Sequence, residues 1–384
     1  MRERVEERHK RVLRLVREHG SVRVSDLATE LGISVETARR DVAALSDAGL
    51  VRRLHGSALW PTARLSPREA RLARELPPPP APRGLVLGMV VPAAGYFYPS
   101  VIRGARDAAA DVGARLLVAT TEYDRDQDRT RIDTLIEAGA TGLLLTPSWG
   151  VDGPDPGDLQ ELADLPVPAV LVERQVPAGS PGAEIDRVGS AHADGAAAGV
   201  RHLAALGHRR VALLSRATHT SPALRQGYRA AVGSLGLPED DLSPAGGLGP
   251  GGADGFERRL DRLLDLARAG EVRAALVHPD SAAIDLLQRL AERGLRVPEE
   301  FSIVCYDDEL ATLANVPLTS VGPVKGAVGE AALNLLLRRL ENPGAESSHV
   351  ALLPRLKVRN SCGTPYSVVD GDRLGGRPTR TTRR

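Results

Sequence analysis

Two groups of residues in this sequence have types and spacing that could do chemistry. The first is compact: Ser34, Glu36, Thr37, Arg39 and Arg40, with Arg52, Arg53 and His55 shortly after. Guanidinium groups bond guanine edges and phosphates, and short hydroxyls contact either, so this set suits the grooves and backbone of double-stranded DNA. The second is dispersed: Phe97, Tyr98, Trp149, Glu173, Arg174, Arg225, Asp280 and Asp307. Aromatic rings cover the apolar C–H faces of sugars, and carboxylates or guanidiniums bond the hydroxyl rims. A small-molecule effector, a carbohydrate, is the expected occupant. Each set also has a plain structural alternative. Arg39 and Arg40 could line a solvated helix face, Tyr96 to Tyr98 could be ordinary lid packing, and Asp307 with Asp308 could hold a turn.

Three helices must position the first set. The spacing predicts one from about Val5 to His19, with Val12, Leu13 and Val16 on one face and Gly20 as its stop. A second is expected over Asp26 to Leu31, with Ser25 as N-cap and Gly32 in the left-handed turn after it. Ser34 then caps a third, Val35 to Asp47, ended by Gly49. Val35, Ala38, Val42 and Leu45 face its core side, which leaves Glu36, Thr37, Arg39 and Arg40 outward near its N-terminal half. Short helix, turn and capped helix make a helix-turn-helix, and that half of the last helix is the part that enters a major groove. Leu50 to His55, followed by Gly56, reads as a β-wing with cations beside the phosphate backbone.

The second set hangs on strands. Apolar runs at Leu85 to Val91, Ala114 to Ala119, Thr141 to Leu145, Ala169 to Val172, Val211 to Leu214, Ala274 to Val277 and Ser302 to Cys305 alternate with Ala-rich amphipathic stretches. That is the rhythm of a parallel sheet covered on both faces. Ligands of such sheets bind beyond the carboxyl ends of strands, where Tyr96 to Tyr98, Trp149, Glu173 and Arg174 fall. With only two Trp, six Tyr and three Phe in the chain, that clustering carries weight.

The 384 residues exceed one typical core, and with 42% apolar and 26% charged residues the chain is not disordered throughout. Its net charge of +1 is unevenly spread. Residues 1–76 are net +5, residues 366–384 net +3, and the remainder −7, so the head alone is built to meet a polyanion. Leu76 to Pro82 holds five prolines and reads as a stiff spacer. No apolar run approaches a membrane span and the N-terminus is charged, which predicts a cytoplasmic protein with no membrane partner. Cys305 and Cys362 are too few for a disulfide scaffold or a cysteine metal cluster. His202 and His208 suit a helix face and a turn better than a metal site. Gly247 to Gly252 fits G-x-G-x-x-G but follows no strand, so no nucleotide site is expected. With no G-x-S-x-G, Walker A or paired catalytic carboxylates, the sequence predicts no catalytic residues, no metal and no cofactor.

ELGISVETARRDVAALSDAGLVRRLHGSA, within about residues 8 to 59, resembles the DeoR-type winged helix in its S-x-x-T-x-R-R-D core and its R-x-H-G-G-A ending, with Ser57 where the family usually has Gly. The body is similar to something else. VPAVLVERQ, VGSAHADGAAAGVRHLAALGHRRVALLS, AALVHPDSAAIDLLQRL and LLPRLKVRNSC, with further segments in order over 84 to 363, resemble LacI/GalR-type effector domains, which share the periplasmic sugar-binding fold. The resemblance implies an α/β chain with a winged helix-turn-helix at 1–60, a Pro-rich linker at 61–83 and a two-lobed type I ligand-binding domain at 84–365. It further implies lobe one at about 84–183 and 309–345, and lobe two at about 184–308 and 346–365, with crossings near Glu184, Glu309 and Glu346. A disordered basic tail at 366–384 follows. It implies ligand contacts at Arg174, Arg225, Asp280, Asp307 and Phe97 or Tyr98. Glu173 stands in place of a frequent Asp, and Ala197 where some sugar-responsive members have an Arg. The expected protein is a transcriptional regulator, a homodimer with an operator and a carbohydrate effector as partners. A cytosolic sugar receptor without a DNA role is the alternative, disfavoured by the Arg39-Arg40 pair. An enzyme fused to a helix-turn-helix lacks its catalytic constellation.

Overall fold

The computed structural model describes residues 5–19, 21–47, 50–54, 57–59, 84–150, 153–243 and 250–363. The expected linker and tail lie outside those residues, as do His55, Gly56 and residues 247–249 of the glycine-rich stretch. The chain divides into two compact units, residues 1–86 with 107–116 and residues 87–106 with 117–384.

In the first unit α1 (Val5–His19), β1 (Ser21–Arg23), α2 (Val24–Leu31), α3 (Val35–Asp47), β2 (Arg52–Leu54) and β3 (Ser57–Leu59) follow in order. The strands form one small antiparallel sheet, β1-β3-β2. Val12, Leu13 and Val16 meet Leu27, Leu31, Ala38, Val42 and Leu45 in one buried cluster, as their spacing predicts. Two expectations need correction. Val35 is 42% exposed, because as the first helical residue it projects past the end of the cluster. Ser25 does not cap α2: the chain passes straight from β1 into a helix that begins at Val24, and the Ser25 hydroxyl bonds Asp26 instead. Ser34 does cap α3, accepting the Thr37 N–H at 3.1 Å.

Asp41, on the inner side of α3, ties α1 down. Its buried carboxylate accepts two hydrogen bonds from Arg8, at 2.6 and 3.0 Å, and lies 3.1 Å from His9 Nε2. Burial by itself would raise this carboxyl; Arg8 and then His9 hold it below the ordinary value. A depressed carboxyl stabilises the fold above its unfolded pKa and loses that contribution as pH falls through the folded one.

From residue 85 onward the seven apolar runs all form strands, to within two residues at either end. The elements are β4 (Val86–Val91), α4 (Tyr98–Asp111), β5 (Arg115–Thr120), α5 (Asp126–Glu137), β6 (Leu143–Leu145), α6 (Pro156–Ala163), β7 (Ala169–Val172) and β8 (Asp186–Ser190). Then come α7 (His192–Ala205), β9 (Ala212–Ser215), α8 (Ser221–Leu235), β10 (Asp240–Asp241), α9 (Pro250–Arg268), β11 (Ala274–His278), α10 (Asp280–Glu292), β12 (Ser302–Tyr306) and β13 (Thr319–Gly322). The chain ends its described course with α11 (Lys325–Glu341), β14 (His349–Leu352) and β15 (Arg355–Lys357). Two six-stranded sheets result, β5-β4-β6-β7-β8-β14 and β10-β9-β11-β12-β13-β15. Central strands such as β6, β11 and β12 are buried at every position, which is why their sequences read as unbroken apolar runs.

The lobe crossings differ from expectation. Each falls one strand later: at Ser190 to His192, after β8; at Pro323 and Val324, after β13; and at Leu353 and Pro354, after β14. Polarity and edge placement hid these three strands. β8 (DRVGS) alternates, β13 follows a proline-broken segment, and β14 lies at a sheet edge with mostly exposed side chains.

Helices touch backbone to backbone where glycines permit it. A Cβ on Gly227 of α8 would fall 1.9 Å from the Ala193 carbonyl oxygen of α7, and one on Gly104 of α4 would fall 1.9 Å from that of Gly326 of α11.

Two stability outcomes follow. Asp41→Ala is expected to lose about 2–3 kcal/mol, since it removes the buried carboxylate that joins Arg8 and His9 of α1 to α3; hydrogen exchange in α1 should accelerate, and unchanged protection there would refute the clamp. Gly227→Ala is expected to cost about 3 kcal/mol or more by forcing α7 and α8 apart, read as a lower denaturant midpoint; an unchanged midpoint would show that the contact can relax.

Candidate functional site

Loops after the strands of both sheets enclose a cleft of about 1070 Å³. From the first sheet come Tyr96, Phe97 and Tyr98 after β4, Tyr123 after β5, Trp149 after β6, and Glu173 and Arg174 after β7. From the second come His219 after β9, Gln226 on α8, His278 at the end of β11, and Asp307 after β12. Four of these residues hold left-handed backbone: Tyr96 at φ 52°, Tyr123 at 61°, Glu173 at 53° and Asp307 at 93°. Such strain in residues other than glycine persists only where surroundings enforce it, and it gathers at functional sites.

The carboxylates are already engaged. Glu173 accepts the Ser190 N–H at 3.0 Å and the Ser190 hydroxyl at 2.7 Å, and its Oε2 lies 3.3 Å from His192 Nε2. Burial would raise it, yet His192 and Ser190 hold it below the ordinary carboxylate value. His192 Nδ1 lies 3.0 Å from the Tyr306 hydroxyl, so a chain of bonds spans the first crossing. Asp307 lies 3.5 Å from His278 Nε2; burial raises it, but His278, with Lys325 and His192, leaves it lowered. The Tyr96 hydroxyl, from one lobe, donates to Asp280 and, at 3.1 Å, to Asp307 in the other.

Arg174 is 8% exposed. Its Nε donates to the Pro147 carbonyl at 2.7 Å and its Nη1 to the Glu173 carbonyl at 2.9 Å, while Nη2 is buried with no hydrogen-bond partner. His219 Nε2 is likewise buried and unpartnered, and burial together with Arg174 pushes that imidazole down to about 3. Burial pushes the Tyr98 hydroxyl up to about 12.

Of the effector set read from sequence, Phe97, Tyr98, Trp149, Glu173, Arg174 and Asp307 come together along the cleft. Arg225 and Asp280 do not line it. Arg225 sits 3.2 Å from Asp241 of β10, and its neighbour Gln226, about 100° further round the helix, faces the cleft instead. Asp280 is fully buried at the start of α10, where its Oδ2 accepts the N–H groups of Glu309 at 2.7 Å and Leu310 at 2.6 Å. It fixes the loop that carries Asp307. The sequence reading passed over Tyr123, His219 and His278, although the strand-end rule that found Trp149 also points to each. It had no signal for Lys325, buried at the second crossing with Glu309 at 2.6 Å and the Phe97 ring centroid at 5.0 Å.

In the first unit Glu36, Arg39 and Arg40 stand exposed on α3, with Glu36 3.8 Å from each arginine. Surface pairs this long hold little, so both guanidiniums remain available. Arg52 and Arg53 lie on β2, paired in register with Leu59 and Ala58. His202 and His208 bond Cys362 and Ser302. Among the described residues no three His, Cys, Asp or Glu side chains gather as a metal site, and no helix is long and apolar enough to cross a membrane.

A winged helix-turn-helix and a two-lobed α/β domain with a cleft at its strand ends define a ligand-binding module on the same chain as a DNA-binding one. Comparison with known proteins agrees. Residues 8–64 match the DeoR-like helix-turn-helix domain; residues 85–245 match the periplasmic binding proteins and sugar binding domain of the LacI family; residues 200–362 match a periplasmic binding protein-like domain. The chain thus joins a DeoR-like helix-turn-helix to a LacI-type effector domain. It is 26% identical to the arabinose metabolism transcriptional repressor of Geobacillus stearothermophilus over 88% of this chain and 89% of that one. It is 28% identical to the ribose operon repressor of Escherichia coli over 72% of this chain and 81% of that one. A transcriptional regulator CelR-cellobiose complex superposes with TM-score 0.60 and 26% identity, covering 87% of this chain and 98% of that one.

Asp128 of α5 accepts the Ser148 N–H at 2.6 Å, and its other oxygen is buried without a partner. Burial pushes this carboxyl up to about 6 from 3.8, against the pull of Ser148 and Arg174. The folded state therefore holds the proton more tightly, and ionisation removes stability as pH rises from about 4 to about 6. Asp128→Asn is expected to stabilise the protein at pH 7 by about 1–2 kcal/mol, discounted for partial exposure, with no gain near pH 4. Thermal melts in which the two proteins stay parallel across that range would contradict this.

Proposed function

We propose that this protein is a transcriptional repressor whose operator affinity is set by a carbohydrate effector held between the two lobes. The observation that carries the reading is the pairing, in one chain, of exposed Arg39 and Arg40 on a Ser34-capped helix with a cleft lined by Phe97, Tyr98, Trp149 and a buried Arg174. Relatives named as arabinose and ribose repressors support it. Ser34, Glu36, Thr37, Arg39 and Arg40 would face the major groove, and Arg52, Arg53 and His55 of the wing would meet the backbone. The operator places the protein in the cytoplasm. It acts as a homodimer, because one winged helix makes few base contacts and joining two multiplies affinity and reads two half-sites. No catalytic step enters this reading: the cleft carboxylates Glu173 and Asp307 are committed to holding loops and lobes, as is Asp280 behind the cleft wall. Effector binding can shift operator affinity only by the ratio of its affinities for the two lobe arrangements, tenfold for about 1.4 kcal/mol.

The test is a pair of variants assayed in both activities. The double variant Arg39→Ala/Arg40→Ala is expected to lose about 2–4 kcal/mol of operator affinity in gel-shift titration while still binding sugar. Retention of wild-type operator affinity would reject the head assignment. Arg174→Ala is expected to abolish the effector response in the same assay, and a full response would reject the cleft.

A further inference from the structure

The lining of the cleft changes character along the first sheet, whose strands run β5-β4-β6-β7-β8-β14. The first three strand ends supply rings: Tyr123 after β5, Tyr96 to Tyr98 after β4 and Trp149 after β6. The other three supply exposed polar groups: Gln175 after β7, Asp194 at the start of α7 after β8, and His349 on β14. Neighbouring strands lie about 4.8 Å apart, so β4 and β8, the middle strands of the two halves, stand roughly 14 Å apart, further than one sugar ring reaches. The cleft volume of about 1070 Å³ agrees. Pockets of about 300–1,000 Å³ hold ligands of drug size, and a single hexose, with about a dozen non-hydrogen atoms, is under half that size. That volume does not come from lobes standing apart, because Tyr96 bonds Asp280 and Asp307 across the gap.

Within the aromatic half, Tyr123 is the ring most open to a ligand. Tyr98 and Trp149 are 6% and 5% exposed and belong to the wall, and the Tyr96 hydroxyl is already spent on its two carboxylates; Tyr123 is 53% exposed. Its loop is fixed. The Tyr123 N–H donates to the Pro92 carbonyl at 3.2 Å, the Asp124 N–H to the Thr121 carbonyl at 2.9 Å, and Glu122 and Tyr123 both hold left-handed backbone, at φ 52° and 61°. Although β5 is an edge strand, the side chain lies over the cleft. Partial desolvation raises its hydroxyl above the ordinary tyrosine value, Arg174 pulls it down, and Asp307 of the facing lobe pushes it up. A face of sugar C–H groups laid on that ring buries apolar surface at little cost in order, since the platform is already held.

We propose that the effector is an oligosaccharide of two or three rings, with one ring stacked on Tyr123 and the next hydrogen-bonded over Gln175 and Asp194. This rests on the effector reading of the cleft and narrows it to one size class. The two halves divide the work: Tyr123 covers an apolar face, while the Gln175 amide both donates and accepts and the Asp194 carboxylate accepts from hydroxyls.

The experiment is calorimetric titration of the full chain with single and linked sugars: D-glucose, D-galactose, D-xylose, D-ribose and L-arabinose; then cellobiose, maltose, lactose, melibiose, xylobiose and arabinobiose; then cellotriose and maltotriose. At least one linked sugar is expected to bind tenfold or more tightly than each monosaccharide it contains. Tyr123→Ala should lower that ratio at least fivefold, Tyr123→Phe, which keeps the ring, by less than twofold, and Gln175→Ala, at the other half, at least threefold. A ratio that Y123A leaves unchanged overturns the stacking on Tyr123. A monosaccharide that binds as tightly as the best of the linked sugars overturns the size assignment and leaves the effector reading standing. Binding of none of the probes overturns both.

Discussion

Charge removed from water has to be answered, and in the effector domain that requirement organises everything around the cleft. Parallel strands deliver their carboxyl ends to one gap, and those ends bring Glu173, Asp280 and Asp307 into the interior. A buried carboxylate without donors would shed its charge or unfold its loop. Each one instead draws donors from a segment remote in sequence: Ser190 and His192 to Glu173, the Glu309 and Leu310 N–H groups to Asp280, His278 to Asp307. The loops that frame the cleft take their shape from these bonds, including the left-handed backbone at Glu173 and Asp307.

The same bonds sit on the crossings between lobes. Ser190 and His192 form the first crossing and bond Glu173 at the cleft wall. Lys325 follows the second and reaches Glu309 and the Phe97 ring. At the third, Pro354 packs where Gly195 leaves no side chain, 2.9 Å from where a Cβ would stand and beside the Tyr306 hydroxyl that His192 bonds. Residues that would feel a ligand are therefore the residues that hold the lobes in one arrangement. A ligand changes the balance between arrangements only through contacts that differ between them, and here those contacts are built into the pivots.

The head follows the same rule on a smaller scale. Its core is a single cluster of aliphatic side chains, thin for a stable unit, and the half-buried Arg8–Asp41 pair fastens the first helix to the one that carries Arg39 and Arg40. Asp41 belongs to the same run of residues as those arginines, so one short segment both anchors the helix inward and presents cations outward.

Periodicity and strand ends were legible without coordinates. The capped helix at Val35–Asp47, the seven apolar strands and the clustering of aromatics past β4 and β6 all follow from local rules, since burial on both faces writes itself into a strand as an unbroken apolar run. The crossings were not legible, because β8, β13 and β14 are alternating, proline-flanked or edge strands whose partners decide their conformation. Arg225 and Asp280 went astray for a related reason: each sits beyond or beside a strand end, yet a partner distant in sequence claims it, Asp241 in one case and the 309–310 backbone in the other. Which residue types reach the cleft is a property of the sequence, because spacing along a strand or helix fixes direction. Which of them remain free to meet a ligand belongs to the tertiary structure alone, because hydrogen-bond capacity is spent between segments that only folding brings together.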